Sequence, residues 1–346
     1  MLDEIKNTIT ENIWKTKLPN PLYLSMPAIK TKSDVGKYFP KEIKDYIESH
    51  PSEKLTYRGT HPISYNVEFY CYEESIPLEK LQRQMKLVIW WLSTIQKYTN
   101  IRCDEMELQV YLTPFRKSLP FSSFDSIESG GSKHVLSAIN CNTGFSTRCD
   151  MGNHIVIYRQ EEWFKVFIHE SFHYFGLDFA FSQTPELTNS LKRTFCVSPT
   201  IFLFESYTEF WAEMIVMLLY SKLHKKDLSI IIKKEIGHSL GQAKKVLLCQ
   251  HLTYSDVLSP CNGRKRYQED TNVFAYYVIK TIMLYYHEDF VRWCVENNPN
   301  LLQINPSELL LFFEWIKAHY NRSEFVSAVE GASVDGNGLR MTNINI

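Results

Sequence analysis

Apolar and polar positions alternate in short runs along the first half of the chain and recur with helical spacing along the second. Ser64–Cys71 (SYNVEFYC) mixes β-branched and aromatic residues in partial alternation and predicts a strand. Glu107–Leu112, closed by Thr113 and Pro114, predicts a second. His134–Ile139 and His154–Tyr158 are further strand candidates. Leu78–Tyr98 has helical periodicity without internal Pro or Gly, and Pro77 stands where a helix start tolerates proline. Glu161–Phe175 predicts a helix stopped at Gly176, a residue suited to a left-handed cap.

From Pro185 onward the pattern is helix after helix, strongest over Ile201–Leu223, Asn272–Tyr286 and Pro306–His319. Residues 1–60 are polar, carry several prolines and predict a loosely helical wrapping segment. Residues 116–133, rich in Ser and Gly, predict a loop. Residues 331–346, with Gly336, Asn337 and Gly338, predict a tail without regular structure. This order predicts an α+β fold: a sheet-containing lobe over 61–180 and a helical lobe over 181–330.

The 346 residues are 44% hydrophobic and 14% aromatic, enough for one large core or two smaller ones. A net charge of −1 gives no general electrostatic case for nucleic acid or anionic lipid. The basic cluster Arg264, Lys265 and Arg266 is short and reads as a solvated loop. No stretch approaches the roughly 18 apolar residues of a membrane helix, and MLDEIKNTIT lacks a signal-peptide pattern. Cys71, Cys103, Cys141, Cys149, Cys196, Cys249, Cys261 and Cys294 form no CxxC pair. Without a signal sequence they read as reduced thiols in a cytoplasmic setting.

His169, Glu170, Ser171, Phe172 and His173 spell HExxH. On a helix, positions i and i+4 share a face, so two imidazoles can meet one ion. Glu170 is rotated about 100° from His169, where a carboxylate can reach an attacking water without becoming a ligand. The motif sits among Trp163, Phe164, Val166, Phe167, Ile168, Phe172, Phe175 and Leu177, with little but Lys165 to make a polar face. A helix apolar on all sides is buried, and three ionisable groups on it are costly unless paired or bound to a metal.

A catalytic zinc keeps three protein ligands and one open position. A metzincin continuation, HExxH-xxG-xxH, has its glycine at Gly176 but finds Phe179 at the third-ligand position, with Asp178 one residue out of register. The other source is Glu205, Glu209 and Glu213, an acidic stripe at i, i+4 and i+8 inside IFLFESYTEFWAEMIVMLL. Like charges so spaced repel and call for something positive opposite. Glu205 and Glu209 both remain open as the ligand.

HESFH followed by a helix carrying ESYTE resembles the gluzincin metallopeptidases, the thermolysin-like clan. The resemblance covers roughly residues 64–220. It implies a zincin-like fold with a mixed sheet ahead of the motif helix and an edge strand along the substrate cleft, supplied by His134–Ile139 or His154–Tyr158. It also implies one catalytic Zn²⁺ held by His169, His173 and Glu205, with Glu209 orienting a ligand imidazole. Glu213, one turn on, is left solvated or paired with a base. The long interval between His173 and Glu205 implies an inserted helix or loop.

The implied activity is hydrolysis of a peptide or protein substrate by a metal-activated water, with Glu170 as general base. Tyr276, on the polar stripe Asn272, Tyr276 and Lys280, is the candidate oxyanion donor, and Tyr277 follows it closely. Arg340 is a weaker candidate for a substrate carboxylate and reads better as an exposed arginine. A second reading is a catalytically silent zincin fold used as a binding or structural module. Glu170 beside the histidines argues against it, since a structural zinc needs no base.

Overall fold

A computed structural model describes residues 2–10, 12–29, 31, 38–72, 77–121, 133–258 and 267–346. The cluster Arg264–Arg266, Cys261 and residues 122–132 of the Ser/Gly-rich loop lie outside the described residues.

The architecture is α+β: one mixed six-stranded sheet, then a mostly helical C-terminal region. The strands are β1 (Leu22–Met26), β2 (Ser52–Gly59), β3 (Ser64–Cys71), β4 (Glu105–Leu112), β5 (Gly144–Ser146) and β6 (His154–Ile157), in the order β1-β2-β3-β4-β6-β5. β1 pairs antiparallel with β2, and β2 antiparallel with β3. β4 and β6 continue parallel to β3, and β5 closes the far edge antiparallel to β6. The helices that build the site are α1 (Leu78–Ile95), α2 (Trp163–Tyr174), α3 (Leu203–His224), α4 (Leu228–Leu248) and α5 (Lys280–Tyr285). A π-helical turn, Phe274–Ile279, leads into α5.

The period-two alternation of the strands sorts two cores. Val67, Phe69, Leu108, Val110, Ile155 and Ile157 face the main helical core. Tyr70, Tyr111, Val156 and Tyr158 face a smaller cluster closed by Phe39, Ile43 and Ile47. With both faces covered, β3 is buried along most of its length, Glu68 included. The helix Pro185–Thr194 fills the interval between His173 and Glu205.

Four expectations change. Residues 1–60 contain β1 and β2 as well as helices, because pairing of β2 with β3 and of β1 with β2 satisfies backbone groups whose local side-chain pattern is weak. His134–Ile139 is not a strand: Leu136 makes an isolated bridge with Glu269, and Ser137 with Asn140 caps the short helix Ala138–Cys141. The sheet edge is β5, so His154–Ile157 lies one strand in. Cys103 and Cys149 form a disulfide, and Cys196 is disulfide-bonded too, so these are not reduced thiols. Cys103 and Cys149 stand 46 residues apart in sequence, a spacing without signal, yet the fold brings their Cα atoms to 5.6 Å. Among the described residues no helix is long and apolar enough to cross a membrane.

The tail lacks regular structure, but it is not loose. Leu339, Met341, Thr342 and Ile344 are buried. Leu339 N donates to Lys117 O, and Tyr277 Oη donates to Leu339 O at 2.6 Å. Glu162, at the start of α2, accepts from the backbone N–H groups of Met341 and Thr342 and pairs with Lys117. Leu339→Ala should therefore cost about 2–4 kcal/mol in urea unfolding, the core range; a change near zero would mean the tail is not packed. Burial raises the pKa of Glu162, but Lys117, Lys165 and Arg340 outweigh it and hold the group at about 2 against an ordinary 4.5. A depressed carboxylate stabilises the fold fully above its unfolded value and loses that contribution as pH falls through the folded one. Glu162→Gln should flatten the loss of stability between about pH 4.5 and 2, followed by denaturant midpoints across that window.

Candidate metal centre

The centre is built where α2 crosses α3. α2 is buried along nearly its whole length, as its apolar surroundings predict, and Lys165 is buried with it. The helix ends as its sequence predicts: Gly176 has φ +61°, Gly176 N donates to His173 O, and Leu177 N donates to Phe172 O. An added Cβ at Gly176 would stand 2.2 Å from Ile101 Cδ1. This turn folds the chain back beneath His173 and brings Asp178 to it.

Three donor atoms converge. His169 Nε2 and His173 Nε2 are 3.2 Å apart, and Glu205 Oε2 lies 3.3 Å from the first and 3.4 Å from the second. Ligand atoms about 2.0–2.1 Å from a tetrahedral ion stand about 3.3 Å from one another, so the triangle has the size zinc requires. Glu205 Oε2 is buried and has no hydrogen-bond partner, although both imidazoles are within ion-pair distance. The donor set, two imidazoles and a carboxylate, fits Zn²⁺.

Each donor is held from behind. Glu209 Oε2 lies 2.9 Å from His169 Nδ1, off the ideal hydrogen-bond line, while Glu209 Oε1 accepts from Lys165 Nζ. Asp178 Oδ2 pairs with His173 Nδ1. Asn272 Nδ2 donates to Glu205 Oε1 at 2.8 Å, which leaves Oε2 facing the two imidazoles. Carboxylates on the far nitrogens fix the imidazole tautomer and raise its donor strength.

Burial raises the Glu205 pKa, but His169 and His173 overcome it and take the carboxyl to about 2. Burial lowers both imidazoles, yet Glu205 and Glu209 raise His169, and Asp178 and Glu205 raise His173. Glu170 does not join the donors: Ser146 Oγ on β5 donates to its Oε2 at 2.8 Å, and burial pushes its carboxyl up.

A cavity of about 290 Å³ opens beside the donors, lined by Ser146, Glu170, His173, Phe204, Glu205 and Tyr276 among others. A larger one, about 450 Å³, lies at the start of α2 near Lys80, Arg116 and Arg340 and does not reach the donor atoms.

The chain matches no family model, no curated protein and no solved structure.

His169, His173, Glu205, Glu209, Glu170 and Tyr276 are thus brought to one place. Tyr276 stacks edge-on near His169, ring centroids 5.9 Å apart. Tyr277 is not in the cleft, since its hydroxyl holds the tail. Arg340 is partly buried rather than exposed and donates to Ile344 O and Asn345 Oδ1. Phe179 is a core residue packed on Phe204, Tyr207 and Phe312. Glu213 is buried and accepts from Lys280 at 2.7 Å.

Sequence reasoning passed over Asp178, Asn272 and Ser146 as supports. For Asp178 the signal was present: a glycine cap after the second histidine reverses the chain within reach of its imidazole. Glu205→Gln should abolish stoichiometric zinc, whereas Glu209→Gln should retain it with affinity reduced about 10–100-fold. Zinc titration against a chromophoric chelator separates these, and the reverse order would make Glu209 the ligand.

Proposed function

We propose that this protein is a zinc-dependent peptidase of gluzincin type, with a zincin-like active site. The observation that carries the reading is the triangle of buried donors around an unpartnered Glu205 oxygen, with a second carboxylate, Glu170, beside it but outside it. A purely structural site would close its fourth position with another ligand. Here the three donor residues and Glu170 line one open cavity, with no fourth metal-binding side chain grouped with them among the described residues.

Bound Zn²⁺ supplies a Lewis acid that polarises a carbonyl and makes a water more acidic. The protein's own groups do the rest. Glu170, held by Ser146 at one oxygen, takes the proton of the attacking water and returns it to the leaving amine. Burial raises its pKa above the ordinary carboxylate value, which makes it a stronger base toward that water. Tyr276, buried beside His169 and lining the cavity, donates a hydrogen bond from its hydroxyl to the developing oxyanion. β5, the sheet edge, places Ser146 and Phe145 along the cleft for an extended peptide.

Purified protein should carry one zinc per chain by elemental analysis. Glu170→Gln should keep that zinc and lose peptide cleavage by about 10²–10⁴-fold on a mixed peptide library. Tyr276→Phe should lower kcat about 10²-fold with KM little changed. Zinc without cleavage that depends on Glu170 would favour the silent binding module instead, and no stoichiometric zinc would sink both.

A further inference from the structure

Lys165 lies one turn before His169 on α2, with its side chain 3% exposed. Its Nζ donates to Glu209 Oε1, and the other oxygen of that carboxylate faces His169 Nδ1. His169 Nε2 faces the other donors. Met341 Sδ, 3.3 Å from Nζ, closes the site from the tail. Ammonium, carboxylate, imidazole and metal position therefore form one continuous buried line.

We infer that Lys165 is a positioning residue of the metal centre, setting through Glu209 how strongly His169 donates to the bound ion. The inference rests on the reading of His169, His173 and Glu205 as a metal site. A carboxylate bound only to an imidazole N–H pushes charge onto the ring. One shared with a buried ammonium gives part of that charge to the cation, so the ring donates less and the metal stays the stronger Lewis acid. An apolar residue of similar length would fill the same space and leave Glu209 to the imidazole alone.

The fold contains its own control. Lys280, also buried, donates to Glu213 at 2.7 Å and to Ser239 Oγ at 2.9 Å. It sits in the same kind of pair, but Glu213 stands one turn of α3 beyond Glu209, away from the histidines. Losing Lys280 removes a comparable buried ion pair without cutting the line to His169.

The test loads Co²⁺ into metal-free protein and records its visible d–d absorption and dissociation constant. Lys165→Met should shift the bands and change the dissociation constant about tenfold, a typical effect of a group behind a ligand. Lys165→Arg should restore the native spectrum, and Lys280→Met should leave it unmoved. Glu209→Gln alone and Glu209→Gln combined with Lys165→Met should give the same spectrum, because the route to His169 is already cut. That comparison also removes both charges of the pair, so it decides the matter even if Lys165→Met alone does not fold. A native spectrum for Lys165→Met, an equal shift from Lys280→Met, or a further shift in the Glu209→Gln background would overturn the inference. Failure of the native protein to take up one Co²⁺ would remove the metal site and this role together. Normal uptake with a silent Lys165→Met would remove this role alone.

Discussion

Three glutamates buried on one face of one helix are the constraint around which this protein is arranged. Glu205, Glu209 and Glu213 are all at most 9% exposed. Uncompensated carboxylates in such surroundings would cost several kcal/mol each. Each is answered separately: Glu205 by two imidazoles and Asn272, Glu209 by Lys165 and His169, Glu213 by Lys280. The answers come from α2 on one side and, on the other, from Asn272 just ahead of the π-turn and Lys280 at the start of α5. The crossing of these helices is therefore fixed by charge as well as by apolar packing. Glu205 and Glu213 each keep one oxygen without a hydrogen-bond partner, but of the two only Glu205 Oε2 stands against both imidazoles, where a divalent ion would fit.

The sheet and the tail serve this crossing. β5 and β6 pack against α2 and set Ser146 beside Glu170. α1 lies behind α2, with Trp91 Nε1 donating to Ser171 Oγ at 2.6 Å. The tail, bound through Glu162, Lys117, Glu235 and Lys245, covers the first turn of α2 and puts Met341 against Lys165. A segment without helix or strand is thereby tied to the same buried charges as the metal centre, because its backbone groups find side-chain partners instead of a ladder.

Legibility in the sequence followed the range of the interactions. Helices α1, α2 and α3 and strands β3 and β4 were readable because their patterns repeat over several turns or alternations within one segment. β1, β2 and β5 were not. The first two gain order from a neighbour's backbone, and β5 is three residues long, too short to carry a period. The Cys103–Cys149 bridge left no trace in spacing because it joins two loops that only the sheet brings together. The partner of Lys165 was not legible for a related reason: only the facing α3 shows that it is a buried carboxylate, Glu209.

Within single helices the sequence by itself determined the chemistry on offer. Helical geometry alone puts His169 and His173 on one face and aligns Glu205 with Glu209, and Gly176 ends α2 because a left-handed residue is needed there. Tertiary structure decided what those groups do to one another. It turned Glu205 rather than Glu209 toward both imidazoles, gave Glu209 to Lys165 and His169, and folded Asp178 under His173. Those choices depend on the separation and rotation of α2 and α3, which packing sets and no local pattern encodes.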